Sequence, residues 1–425
     1  MTAIVGVLSR EGIAFAADSA AIVTSKSGQK ITHHANKLFS LPKYQPVGIA
    51  IYNNLNFHGI PWDSIIKMYR NSLGDKKYNT VSEYVTSFWT YIKKNILPSI
   101  KHEQDAYLRK GIERMYAQHK RNALAELGET VDDTNKDEYF AKMLEKMNDF
   151  VADITSVAQD YKDYKIQSLE KNAKSIIDEV LKDDLADALC PSNFRQMFVK
   201  SVYTLITYDL FGYWSDIYTG LVFFGYGEKE LLPACYNYHV NIAMEDRIKY
   251  SLRYHKTITT GDSSVIIQFA QTDVVNTVIR SVEDGLRAKF YENYKKCIVA
   301  LRDEVVKFIK ASGAPADVVD KLNALNVDYY TGLYKDGMDN YIQKEYIEPL
   351  VDTVAFLSKE DLAELVESLV KMTCLKRRIT KDNETVGGPV DVAVVTKGDG
   401  FIWMKRKHYF DPELNQQFFE RYKKN

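Results

Sequence analysis

At 425 residues the chain has room for two to three domains, or for one large domain carrying insertions. Its 56 basic and 57 acidic residues leave a net charge of −1, which argues against a dedicated nucleic-acid binder with its usual basic excess. Hydrophobic residues at 45% supply a sizeable core. No apolar run approaches the roughly 18 residues of a membrane helix; Gly220–Gly227, among the most apolar stretches, is far shorter. The N-terminus lacks a charged leader followed by a long apolar core, so the expectation is a soluble, cytoplasmic protein that meets neither membrane nor nucleic acid. Cys190, Cys235, Cys297 and Cys374 are too scattered for a zinc site or redox pair, and read as free thiols. No metal or other cofactor is expected.

In chain order, Thr2–Leu8 and Ile13–Ala17 are apolar, β-rich runs around the turn residues Ser9-Arg10-Glu11-Gly12, which predicts a hairpin. Ser25–Lys30 reads as another turn, and Lys37–Leu41 and Val47–Tyr52 as short strands. From Ile65 the pattern becomes helical. No proline occurs between Ser99 and Cys190, and Ile177, Val180, Leu181, Leu185 and Leu189 share one helical face. The charged middle, Lys101–Lys174, suits a projecting helical hairpin or a coiled coil. Strands return at Thr219–Tyr226 and Leu231–Val240. A second helical stretch follows from Val274 to Leu357. Ser358, with Asp361 three residues on, opens a capped helix whose Leu362, Leu365, Val366 and Leu369 form one apolar face. Val390–Thr396 and Phe401–Lys405 flank Lys397-Gly398-Asp399-Gly400 as a last hairpin. The expected division is a core in three pieces, 1–75, 211–273 and 358–425, interrupted by helical insertions at 76–210 and 274–357.

The chemistry concentrates at the beginning. Excision of Met1 would leave a free α-amine beside the Thr2 hydroxyl, and an amine with a pKa near 7.7–8.0 can take the hydroxyl proton at neutral pH. A hairpin register centred near Arg10 places Asp18 opposite Thr2. Lys37 can pair with Asp18 and bring positive charge near Thr2, favouring the neutral amine and a developing alkoxide. An ordinary hairpin with a buried Asp–Lys pair is the plainer alternative.

These residues together resemble the proteasome β-subunit family of N-terminal-nucleophile (Ntn) hydrolases. There a threonine is followed sixteen residues later by the Asp of an "AADS" strand end, as Thr2 is by Asp18 within Ala16-Ala17-Asp18-Ser19. Lys37 before Leu38-Phe39-Ser40-Leu41 resembles the family lysine. Phe224-Gly225-Tyr226-Gly227, and the Ser358–Arg378 helix followed by Gly387-Gly388-Pro389-Val390-Asp391-Val392, are similar to later family pieces. The resemblance covers about 180 residues and implies an α+β fold, a four-layer αββα sandwich, carrying the helical insertions. It implies an amide-bond hydrolase acting on a peptide or acyl-amide substrate, with Thr2, Asp18 and Lys37 catalytic. The oxyanion donor would be a backbone N–H near Ile51 or Tyr52, where the family's Ala-Gly-Gly turn is replaced by Ala50-Ile51-Tyr52-Asn53. Supporting residues would fall at Asp382 or Asn383, at Thr385 or Val386, and near Gln271-Thr272-Asp273. The resemblance further implies a homo-oligomer, with the insertions available to a regulator. Non-peptide amide hydrolysis and a non-catalytic assembly role remain as alternatives.

Other motifs fail on their own chemistry. The calcium-like run from Asp133 has Glu138 where the loop needs Gly and Leu144 where it needs Glu. His33-His34 are adjacent and would point apart on a strand. Thr259–Ser264 lacks the P-loop lysine.

Overall fold

The computed structural model describes residues 2–25, 28–41, 45–128, 131–132, 134–154, 164–208, 218–244, 247–380, 386–408, 410–411, 413–417 and 420. The strands are β1 (Ala3–Ser9), β2 (Ile13–Ala17), β3 (Ala21–Ser25), β4 (Gly28–Thr32), β5 (Leu38–Ser40), β6 (Val47–Asn53) and the short β7 (Asn56–Phe57) and β8 (Ile60–Pro61). They continue with β9 (Thr219–Gly225), β10 (Ala234–Met244), β11 (Arg247–Thr257), β12 (Ser264–Ala270), β13 (Asp391–Thr396) and β14 (Gly400–Lys405). The principal helices are α1 (Trp62–Leu73), α2 (Val81–Tyr91), α3 (Lys101–Leu127), α4 (Lys136–Asp153), α5 (Phe194–Thr207), α6 (Asp273–Arg280), α7 (Asp284–Ala311), α8 (Val327–Ile342) and α9 (Lys359–Ile379). The chain is therefore α+β, with antiparallel sheets, and it divides into two compact units.

The first unit comprises Met1–Leu38, Leu231–Pro233 and Thr257–Asn425. Its main sheet runs β12-β1-β2-β13-β14. Alternation along the strands decides which face meets the helices. Ala3, Val5 and Val7 of β1, Ala14 and Ala16 of β2, and Val392 and Val394 of β13 pack with Leu362, Val366 and Leu369 of α9. The expected apolar face of α9 is thus the face that covers the sheet. Its start is fixed by the expected capping box, in which Ser358 Oγ accepts from the Asp361 N–H and the Asp361 carboxylate accepts from the Ser358 N–H.

The second unit comprises Phe39–Glu230 and Ala234–Lys256. Its sheet runs β11-β10-β9-β6-β5. Ile49 and Ile51 of β6, with Leu221 and Phe223 of β9, share a core with Ile65, Ile66 and Tyr69 of α1 and Val85, Phe88 and Trp89 of α2. Helix begins at Trp62, three residues before the sequence pattern changes. The charged 101–174 segment is neither a projecting hairpin nor a two-stranded coil among the described residues. Leu108, Ile112 and Met115 of α3, Phe140 and Met143 of α4, and Phe194 and Phe198 of α5 build a core of their own with Ile242 and Met244 of β10. Charge on the outer faces hides that core from a reading by composition.

Candidate active site

The β1–β2 hairpin closes on two residues, Arg10 and Glu11, because the Ser9 N–H donates to the Gly12 carbonyl at 2.9 Å and Leu8 pairs with Ile13. A two-residue turn moves the register by one from a turn centred on Arg10. Asp18 consequently stands opposite Ala3, not Thr2: the Asp18 N–H donates to the Ala3 carbonyl at 3.1 Å. The Asp18 side chain then reaches back to the same residue, Oδ1 accepting from the Ala3 N–H at 2.9 Å. The carboxylate is therefore tied to the amide that directly follows Thr2.

Among the described residues three further donors join its shell. Lys37 Nζ lies 2.6 Å from Oδ1, with both side chains fully buried. The N–H groups of Ala20 and Gly387 each donate to Oδ2 at 3.1 Å. Such saturation is what a carboxylate out of water requires. Burial pushes the Lys37 ammonium below its ordinary value even though Asp18 pulls it up, and Lys407 adds to the downward push. Cys374, on α9, feels both Asp18 and Lys37. Its thiol is pushed up to about 11, first by burial and then by Asp18, so it stays protonated at neutral pH.

Thr2 is itself buried, with 2% of its surface exposed. Its carbonyl accepts from the Gln271 N–H at 3.1 Å. That contact follows Ala270, which adopts φ +68°, a left-handed conformation costly for alanine that turns the chain at the end of β12. Gln271 thus touches Thr2 through its backbone. Asp273 instead binds Lys376 and Arg377 at 3.1 and 2.8 Å. Asp382, Asn383 and Thr385, like Met1, lie outside the described residues; Val386 is buried in the α9 core.

Ile51 and Tyr52 belong to the second unit. Ile51 faces the α1–α2 core, whereas Tyr52 lies on the opposite face of β6. The Tyr52 hydroxyl is 2.9 Å from His239 Nε2 and accepts from Asn237 Nδ2 at 3.0 Å. Its ring reaches β10 by crossing Gly220 of β9, where a Cβ would stand 1.9 Å from the ring. Tyr218 stacks on His239 with centroids 3.9 Å apart. Burial, with Arg253 nearby, pushes His239 down to about 4, and burial raises Tyr52, so this cluster is neutral at pH 7.

The sequence motifs include Gln271 as a loose supporting candidate and Asp391 without a role, and they missed Cys374 and Lys407. Asp391 and Lys407 form a buried ion pair, and the Lys407 charge acts on Lys37. Among the described residues no group of three or more His, Cys, Asp or Glu side chains forms a metal-sized cluster, and no helix is long and apolar enough to cross a membrane. No family model matches the chain, and no curated protein matches it.

Proposed function

We propose that the chain is a proteasome-like N-terminal-threonine hydrolase of amide bonds, with peptides as the substrate class and a four-layer αββα sandwich as its fold. The observation that carries this is the fully buried Asp18–Lys37 pair anchored on the amide next to Thr2. Burying two charges is costly and a hydrophobic pair would stabilise as well, so the pair is better explained by chemistry than by stability.

In this mechanism the freed Thr2 amine, through a water, takes the proton of the Thr2 hydroxyl. Oγ attacks the substrate carbonyl, the C–N bond breaks, and the leaving amine departs with that proton. Water then hydrolyses the Thr2 ester. The Lys37 charge disfavours protonation of the amine and stabilises the alkoxide. Asp18 fixes Lys37 and the backbone after Thr2. The four free cysteines suit the cytoplasm. Exposed Leu286, Phe290, Leu301 and Phe308 on α7, with Leu333 on α8, support an assembly or regulator surface in the 274–357 stretch.

The burial of Thr2 favours a second reading, a non-catalytic assembly protein. A panel of fluorogenic acyl-peptides and acyl-amides, with intact mass spectrometry of the same samples, separates the two. Turnover should require a free Thr2 amine, vanish in Thr2→Ala and persist in part in Thr2→Ser. Equal turnover by wild type and Thr2→Ala would sink the hydrolase reading; active protein with a blocked Thr2 amine would sink its mechanism.

A further inference from the structure

A second buried ion pair lies one strand away from the first. Asp391 opens β13 and pairs with Ala17, the residue before Asp18. Its carboxylate accepts from both the main-chain N–H of Lys407, at 2.9 Å, and the Lys407 ammonium. The two side chains are only 4% and 9% exposed. Lys407 follows β14, so the segment leaving that strand is anchored at the head of β13.

Between the two pairs runs Gly387–Asp391, and it is held along its length. The Gly387 N–H donates to Asp18, while its carbonyl accepts from the Ser19 N–H at 3.0 Å. The Pro389 carbonyl accepts from Ser19 Oγ at 2.5 Å. Gly388, at φ +77°, passes so close to His33 that a Cβ would stand 2.9 Å from it. One five-residue segment therefore joins the carboxylate that holds Lys37 to the carboxylate that holds Lys407.

We propose that Asp391 and Lys407 are positioning residues of the Thr2 site: the pair clamps the 387–391 segment against Asp18 and sets the electrostatic field at the Lys37 ammonium. The inference rests on the hydrolase reading for its catalytic consequence, but not for its test. The groups that act on Lys37 are Asp18 at the end of β2, Cys374 on α9 and Lys407 beyond β14. Lys407 opposes the Lys37 charge and Asp391 offsets Lys407, so removing either one moves Lys37 in opposite directions.

The experiment follows the Lys37 titration by the 13Cε shift of lysine-labelled protein, the resonance assigned by its loss in Lys37→Met. Lys407→Gln should move the titration up by about one pH unit and Asp391→Asn down by about one. The double variant should return near wild type, and Lys407→Arg should stay there. If Asp391→Asn does not fold, the contrast of Lys407→Gln with Lys407→Arg still decides. Shifts in the same direction, or none, overturn the proposal. Where Thr2-dependent turnover is present, the alkaline limb of kcat/KM should move with the titration, and a fixed limb also overturns the proposal. Absence of Thr2-dependent turnover in wild type counts against the hydrolase reading alone, because the titration needs no substrate.

Discussion

The two units each bury polar groups and a lysine, and the partners that the described residues supply differ. The first pairs opposite charges: Asp18 with Lys37, and Asp391 with Lys407. The second places the Tyr52 hydroxyl between Asn237 and His239, has His58 accepting from the Ala243 N–H at 2.7 Å, and buries the Lys249 ammonium, which donates to the Ile206 and Tyr208 carbonyls. Neutral networks satisfy hydrogen bonds at modest cost and specify a packing. Ionic pairs cost more to bury and retain a field, which a neutral network lacks. Under the proposed hydrolase reading, the Asp18–Lys37 pair tied to the amide after Thr2 makes the first unit the one that carries the chemistry.

Changing pH should separate the units most strongly. Burial holds His58, His119 and His239 of the second unit down to about 4. Between that value and 6.5 the unfolded chain binds more protons than the folded one. The stability of the neutral histidines is complete above pH 6.5 and falls, by up to about 1.4 kcal/mol per pH unit for each, as pH drops towards 4. Lys37 is also held low, so the same sign puts its effect on the alkaline side, where first-unit stability rises as pH climbs towards 10.5. Hydrogen exchange resolved by peptide should show acid loosening peptides of the second unit first. Acid opening confined to the first unit would contradict the comparison.

Next in size is Lys37→Met, which leaves Asp18 buried without its cation. Breaking a buried pair costs about 3–5 kcal/mol. Calorimetry should show that loss, and any variant that folds should turn over at least roughly 10²-fold more slowly, equivalent to about 2.7 kcal/mol of barrier. Full stability would mean that Asp18 is neutralised by something other than Lys37.

Gly220→Ala tests the second unit's packing. The added Cβ meets the Tyr52 ring, and forcing the ring aside should cost about 1–3 kcal/mol. Loss of the His239–Tyr52 coupling in the His239 titration would locate the damage. Tyr52→Phe is the mildest change, keeping the ring over Gly220 and deleting only the hydroxyl. It should cost about 1 kcal/mol by denaturant titration. A cost above that of Lys37→Met would erase the distinction between the units.

What was legible in the sequence was local. The turn at Arg10-Glu11, the sixteen-residue step from Thr2 to Asp18, Lys37 before β5, and the Ser358 cap depend on neighbours a few residues apart or on one hairpin. The register escaped by one residue because a two-residue and a three-residue turn look alike when every flanking position is apolar. Ala270 in a left-handed conformation leaves no mark, since alanine is not a residue that signals φ > 0. Lys407 meets Asp391 only after β13 and β14 have paired. Tyr52 meets His239 only because β9 puts a glycine between them. The helical core of α3, α4 and α5 was masked by the charged faces that keep its outside wet.

The central claim is that Thr2 is the nucleophile. Its most direct test is the site of covalent attachment when the full-length protein reacts with a small electrophilic acylating probe, mapped by peptide mass spectrometry. The expected result is a single ester on Thr2 Oγ, formed only by molecules whose Thr2 amine is free, and absent from Thr2→Ala. An adduct on another residue that survives in Thr2→Ala, or full labelling of protein with a blocked Thr2 amine, would contradict it.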